Sequence, residues 1–168
     1  LRQGQMPPLE YLTGCVMKET YGRADAQTVK AMIKSILDIN VIYVLAMGGA
    51  ISARKRPDGS VEAGNSEEIR TLFDEKNNSF PVQISSVGAM LSEETEPADW
   101  ARLIAAIHEK IESGTANGIV VTHGTDTLSY TAALLFWLFG ASKVPLVITT
   151  SETLPSESDE AKINVNLA

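Results

Sequence analysis

The sequence predicts an α/β fold, with three layers, α/β/α, around a mainly parallel sheet. The first observation is four short aliphatic runs, "VIYVLAM" (41–47), "FPVQISSV" (80–87), "GIVVT" (118–122) and "VPLVITT" (144–150). The first and third are apolar almost throughout, as strands are when both faces of a parallel sheet are covered. The second observation is that segments of helical period separate these runs in strict alternation. Each return to a parallel neighbour then needs a crossover, which places helices on both faces, as in Rossmann- or flavodoxin-like sheets.

Taken in order, residues 1–24 hold turn formers (Pro7, Pro8, Gly14, Gly22) and no sustained period, so an extended arm is expected. Asp25 can cap a helix in which Val29, Met32, Ile33, Ile36 and Leu37 recur at helical spacing. Residues 1–40 thus form an arm plus a helix, ahead of a domain spanning 41–168. After the first strand, 48–65 is rich in glycine, proline and charge and predicts a long mobile loop, followed by a short helix over 66–75. Pro97 opens an amphipathic helix with Trp100, Leu103, Ile104, Ile107 and Ile111 on one face. Gly114 and Gly118 end it. The apolar stretch 127–139 predicts a buried helix, and 158–168 a capped one.

The 168 residues suffice for one domain with a real core. A formal charge of −7, with only "ARKRPDG" (53–59) locally basic, argues against direct nucleic-acid binding. That basic stretch is expected to be a solvated turn. The longest apolar run, around 132–141, is too short to span a bilayer, which takes about 20 residues. One cysteine, Cys15, rules out an internal disulfide, and two histidines without a cysteine cluster offer no zinc site of the usual spacing. Neither metal nor cofactor is expected. The single cysteine and the lack of a leader pattern fit an intracellular chain, in the cytoplasm or an organelle (mitochondrial) matrix.

Ligands of such sheets bind beyond the carboxyl ends of the strands. Two stretches fall there: Gly48-Gly49-Ala50, and "THGTDT", residues 122–127. The second gathers hydroxyls and a carboxylate just before a helix, where donors and acceptors converge. A plainer reading is that Thr127 or Asp126 caps that helix. His123 alone reads as a packed or hydrogen-bonded residue more readily than as a base.

Together, "VLAMGGAIS", "SSVGAM…ADWARLIAAI", "GIVVTHGTDTLSYTAALL" and "PLVITTSETLPSESDEAKINVNLA" resemble, in order, the amino-terminal domain of the bacterial-type L-asparaginase/glutaminase family. That family includes the archaeal glutamyl-tRNA(Gln) amidotransferase asparaginase-like subunit. The resemblance covers 41–168, with the family's carboxy-terminal domain absent. It implies hydrolysis of a side-chain amide. A threonine after paired glycines attacks the carbonyl, and a second threonine works with a lysine and the aspartate of HGTDT.

By position, the second threonine falls at Thr125 and the substrate-binding aspartate at Asp126. Gly49 belongs to the same remnant, and a substrate-binding serine falls at Ser85 or Ser86. The first threonine falls at Ala50, which has no oxygen to attack with. No tyrosine occurs between Tyr43 and Tyr130 to serve the family's lid, and the chain reaches Ala168 before the partner lysine. Lys162 is misplaced for that role. Ser52 lies about 6–7 Å beyond Ala50 on an extended backbone, too far to substitute.

The expected function is therefore a catalytically inactive asparaginase-like domain, a structural or accessory subunit of a larger protein assembly. An amidohydrolase releasing ammonia from Asn or Gln through Thr125 is the alternative. A third reading is a sensor that retains binding of a small amino acid at Asp126.

Overall fold

The computed structural model describes residues 9–37, 41–73 and 81–168. In chain order the elements are α1 (Leu9–Glu19), α2 (Ala26–Leu37), β1 (Val41–Gly48), a 3-10 turn (Ala50–Ser52), β2 (Arg54–Lys55), β3 (Val61–Glu62) and α3 (Ser66–Leu72). There follow β4 (Val82–Met90), a second 3-10 turn (Ser92–Glu94), α4 (Pro97–Glu112), β5 (Ala116–Thr122), α5 (Leu128–Phe139), β6 (Leu146–Thr149) and α6 (Glu160–Leu167).

The main sheet is parallel, with strands in the order β4-β1-β5-β6. Alternate residues of its central strands feed two cores. Tyr43, Leu45, Met47, Ile119 and Val121 pack against Leu103 and Ile107 of α4 and Leu135 of α5. Val44, Ala46 and Val120 pack against Ile69 and Leu72 of α3 and Ala161 and Val165 of α6. The three-layer α/β/α expectation is met, and the two apolar faces explain why β1 reads as an unbroken apolar run. Leu103 and Ile107 have no exposed surface, so each contributes about 2 kcal/mol by burial.

Local signals account for the helix ends. Asp25 Oδ2 accepts from the Thr28 amide at 2.7 Å ahead of α2. Asp99 accepts from the Glu96 amide at the start of α4, where Pro97 takes the first position. Ser158 Oγ accepts from the Glu160 amide at the start of α6. Val29 is buried whereas Met32 is 59% exposed; the side chains of Ile36 and Leu37 lie outside the described residues.

Three expectations are corrected. The arm is not extended over residues 9–19: α1 forms there and packs on α2, with Thr13 buried. It ends where Tyr21 (φ 52°) and Gly22 (φ 71°) turn left-handed and the Gly22 amide bonds Met17 O at 2.8 Å. Residues 1–8 lie outside the described residues. The stretch 48–65 is not one long loop but a 3-10 turn and the β2–β3 hairpin. Its basic residues are exposed yet paired, Arg54 with Glu68 at 3.1 Å and Arg56 with Glu62 at 3.0 Å. Finally, α5 is not a buried helix. Thr131 and Leu135 are buried, but Phe136, Trp137 and Leu138 are exposed, with no further layer among the described residues on that side. No helix among the described residues is long and apolar enough to cross a membrane.

Candidate functional site

The site is built where β1, β4 and β5 end side by side. Ala46 of β1 pairs with Thr122 of β5, so the turns that follow each strand meet. The Gly49 amide donates to Met90 O at 2.9 Å, tying the first turn to the end of β4. Gly49 lies so close to the next turn that a Cβ on it would sit 2.4 Å from Gly124 N. A Cβ on Gly124 would in turn meet Ser92 Oγ at 2.4 Å. Three turns are thus stacked in direct contact, and glycine is required at both crossings.

Beside this stack is a cleft of about 220 Å³ lined by Gly49, Ala50, Val61, Leu91, Ser92, Glu93, Gly124, Thr125 and Asp126. The structure therefore brings together Gly49, Ala50, Thr125 and Asp126, as their positions at the strand ends imply. Ser86 is the exception: its hydroxyl donates to Gly88 O at 3.0 Å on exposed β4 and does not line the cleft. Ser85 is likewise an exposed residue of β4. The strand runs on to Met90, so its carboxyl end falls at Leu91–Ser92, six residues beyond Ser86.

Ser92 and Glu93 are the site residues that sequence reasoning misses. Ser92 is almost fully buried; its Oγ donates to Asp126 Oδ2 at 3.0 Å and accepts from the Asp126 amide at 3.2 Å. Thr127 Oγ1 donates to Ser92 O at 2.9 Å. Neither Asp126 nor Thr127 makes a side-chain cap to α5, so the plain capping reading fails. Both side chains bind the β4 turn. The available sequence signal is Ser92 directly after the apolar pair Met90-Leu91 that closes the strand.

Behind the cleft, His123 is buried and its hydrogen bonds assign every proton. Nδ1 faces Gly124 O at 2.9 Å, an acceptor only, so Nδ1 carries hydrogen. Nε2 then accepts from Thr131 Oγ1 at 3.0 Å, and Thr131 Oγ1 accepts from Trp100 Nε1 at 2.8 Å. This chain links α4 and α5 to the carbonyl of Gly124. Burial pushes the His123 imidazole below its usual range, and the Gly124 bond opposes this more weakly. A depressed folded-state value favours the neutral ring, so its contribution to stability is complete above about pH 6.5 and lost as pH falls below it. Urea titrations between pH 7.5 and 5 are expected to show this acid loss, and His123→Gln to lack that component. An unchanged pH slope in the variant would refute the assignment.

The chemistry available is restricted. Ala50 puts a methyl group in the cleft. Ser52 is buried in the 3-10 turn, within hydrogen-bonding distance of Gly49 O (3.4 Å) and Gly64 O (3.3 Å). Its unavailability follows from these bonds and not from an extended backbone. Lys162 is exposed on α6 and no Lys, Arg or His lines the cleft. The carboxylates of Glu93 and Asp126 make it acidic. Among the described residues no group of three or more His, Cys, Asp or Glu is placed to hold a metal ion.

A family model described as "Asparaginase, N-terminal" matches residues 41–168. Similar curated proteins include the D subunit of glutamyl-tRNA(Gln) amidotransferase from Thermoplasma acidophilum, 35% identical over 112 residues, covering 66% of this chain and 27% of that protein. The corresponding subunit from Sulfurisphaera tokodaii is 27% identical over 146 residues, 85% of this chain and 32% of that one. The chain thus spans about a quarter to a third of the length of these relatives. Among solved structures, the thermostable L-asparaginase from Thermococcus kodakarensis superposes with a TM-score of 0.63 at 27% identity, covering 73% of this chain and 37% of that one. L-asparaginase I from Vibrio cholerae gives 0.57 at 26% identity, covering 70% and 35%.

Proposed function

From the premise that this chain belongs to the asparaginase family, we propose that it is a non-catalytic member acting as a structural or accessory subunit of a larger protein assembly. The observation that carries the reading is Ala50. It lines the cleft where the family resemblance asks for a nucleophilic hydroxyl, and a methyl group can form no covalent intermediate. Three further observations support it. The nearest serine, Ser52, is buried with its hydroxyl against backbone carbonyls, and the β2–β3 hairpin over the cleft brings Val61 to it, with no tyrosine in the hairpin. Relatives named as subunits of an amidotransferase support a role among protein partners. In this reading a small amino acid can still be held at Gly49, Asp126 and Ser92, the last in place of Ser86. The chain contacts no nucleic acid directly and works in the cytoplasm or the mitochondrial matrix.

The alternative is an amidohydrolase acting on Asn or Gln, favoured by Thr125, which is exposed at the cleft next to Asp126. Ammonia release from asparagine and glutamine by the purified chain separates the two. The expected rate equals the protein-free background and is the same for Thr125→Ala. Turnover on the order of 1 per second or faster, abolished in Thr125→Ala, would replace the first reading by the second.

A further inference from the structure

We propose that Asp58, at the tip of the β2–β3 hairpin, is a site of spontaneous isoaspartate formation, and that the Ser60 hydroxyl and the Arg56 carbonyl set how fast the chain is altered there. The inference holds whether or not the cleft is catalytic.

The chemistry needs only the chain and water. The Gly59 backbone nitrogen attacks Cγ of the protonated Asp58 side chain, and the amide hydrogen and the carboxyl hydroxyl leave together as water. A five-membered imide results. Water then opens it at either of its two carbonyls. Attack at Cγ restores aspartate. Attack at the former backbone carbonyl leaves the chain running through Cβ, an isoaspartyl residue of unchanged mass. The attacking nitrogen must be unhindered and its backbone free to turn, conditions that a following glycine meets best.

Asp58 is the one aspartate in the sequence that glycine follows. Asp58, Gly59 and Ser60 are all exposed. Gly59 has φ 86° and nothing within 4 Å of an added Cβ, so no neighbour crowds the ring closure. The sequence holds one asparagine in the same position, Asn117 before Gly118, whose amide can close the same ring with loss of ammonia. The fold treats that pair in the opposite way. It lies within β5, between β1 and β6, where Gly118 is buried and pairs with Ile42. Ring closure there would require the centre of the sheet to open.

Two sets of hydrogen bonds restrain Asp58. Its Oδ1 accepts from the Ser60 amide at 2.9 Å and from the Ser60 hydroxyl at 2.6 Å. Both hold the Asp58 carboxyl below its usual range, the hydroxyl more than the amide, and so keep it ionised, without a hydroxyl to lose. The Gly59 amide meanwhile donates to Arg56 O at 2.9 Å, which occupies the nucleophile. Ring closure therefore waits for the turn to open, and at an exposed hairpin tip such opening costs little. The backbone atom that isoaspartate adds falls inside the turn closed by the Arg56 amide on Ser60 O at 2.8 Å. Val61, the next residue, lines the cleft. Conversion at Asp58 thus loosens the hairpin where it covers the cleft.

Incubation of the folded 168-residue chain for weeks at neutral pH, followed by tryptic mapping, tests this. Trypsin cuts after Lys55 and Arg70 and spares Arg56 before proline, so Asp58 is recovered in the 56–70 peptide, whose isoaspartyl form separates at equal mass. A synthetic peptide of residues 54–62 serves as the unfolded reference. The folded chain is expected to convert at Asp58 more slowly than this peptide, while Asn117 keeps its amide. Ser60→Ala should convert faster than the parent by roughly threefold to tenfold, as the loss of one hydrogen bond implies. The same change in the synthetic peptide, which holds no such bond, should alter its rate little. Three outcomes would each overturn the proposal: no isoaspartate in the folded chain by the time half of the peptide has converted, equal rates for the parent and Ser60→Ala, or loss of the Asn117 amide ahead of conversion at Asp58.

Discussion

Gly49→Ala is expected to cost about 3–5 kcal/mol, a large share of the stability of a domain this size. Two separate penalties add. Gly49 has φ 78° and ψ 178°, a region that only glycine occupies without strain. The new methyl carbon would also lie 2.4 Å from Gly124 N and 2.5 Å from Gly124 Cα, and both are backbone atoms that cannot rotate away. Gly59 separates the two effects, because it has φ 86° but nothing within 4 Å of an added Cβ. Gly59→Ala therefore carries strain alone, about 1 kcal/mol. Urea unfolding of both variants measures the difference. Equal losses would mean that the two turns do not press on one another as described.

That contact bears on why the turn persists around Ala50. Gly49 and Gly124 let the ends of β1 and β5 close on each other, and Gly124 lets Ser92 approach from β4. These are demands of the scaffold and hold whatever residue stands at position 50. In the non-catalytic reading proposed above, a methyl group at position 50 leaves these contacts as they are. Neither glycine has that freedom.

The central strands are legible in the sequence because β1 and β5 are covered on both faces and must be apolar at successive positions. β4 is harder to read. It is an edge strand, and exposed Gln83, Ser85 and Ser86 give it a mixed pattern whose end cannot be found from hydropathy. The family resemblance places its candidate serine at Ser85 or Ser86, within that mixed stretch, whereas the serine lining the cleft is Ser92, beyond the strand's end. Helix α1 is hidden by Gly14 and by a C-terminal turn at Tyr21–Gly22 that looks like part of a coil. The apolar character of α5 is plain, but composition does not tell a helix buried by its own chain from one whose outer face is left bare. The aspartate of the site stands out because its motif is dense in hydroxyls. Its bond to Ser92 does not, since the two residues lie 34 positions apart.

Thr131→Val should destabilise the protein by about 2–4 kcal/mol although it changes almost no volume. Thr131 is fully buried and serves both neighbours, giving its hydrogen to His123 Nε2 and taking one from Trp100 Nε1. Valine leaves two polar groups unpaired at once, and each unsatisfied partner costs about 1–3 kcal/mol. Trp100→Phe removes only one donor and leaves the Thr131–His123 bond intact, so its hydrogen-bond penalty should be smaller. The loss in Thr131→Val should also loosen Gly124, whose carbonyl depends on the same imidazole. Amide exchange in the 123–127 turn is then expected to quicken beyond what global unfolding explains. A variant as stable as the parent, with that turn equally protected, would show that His123 is merely packed and that the cleft is not held from behind by α4 and α5.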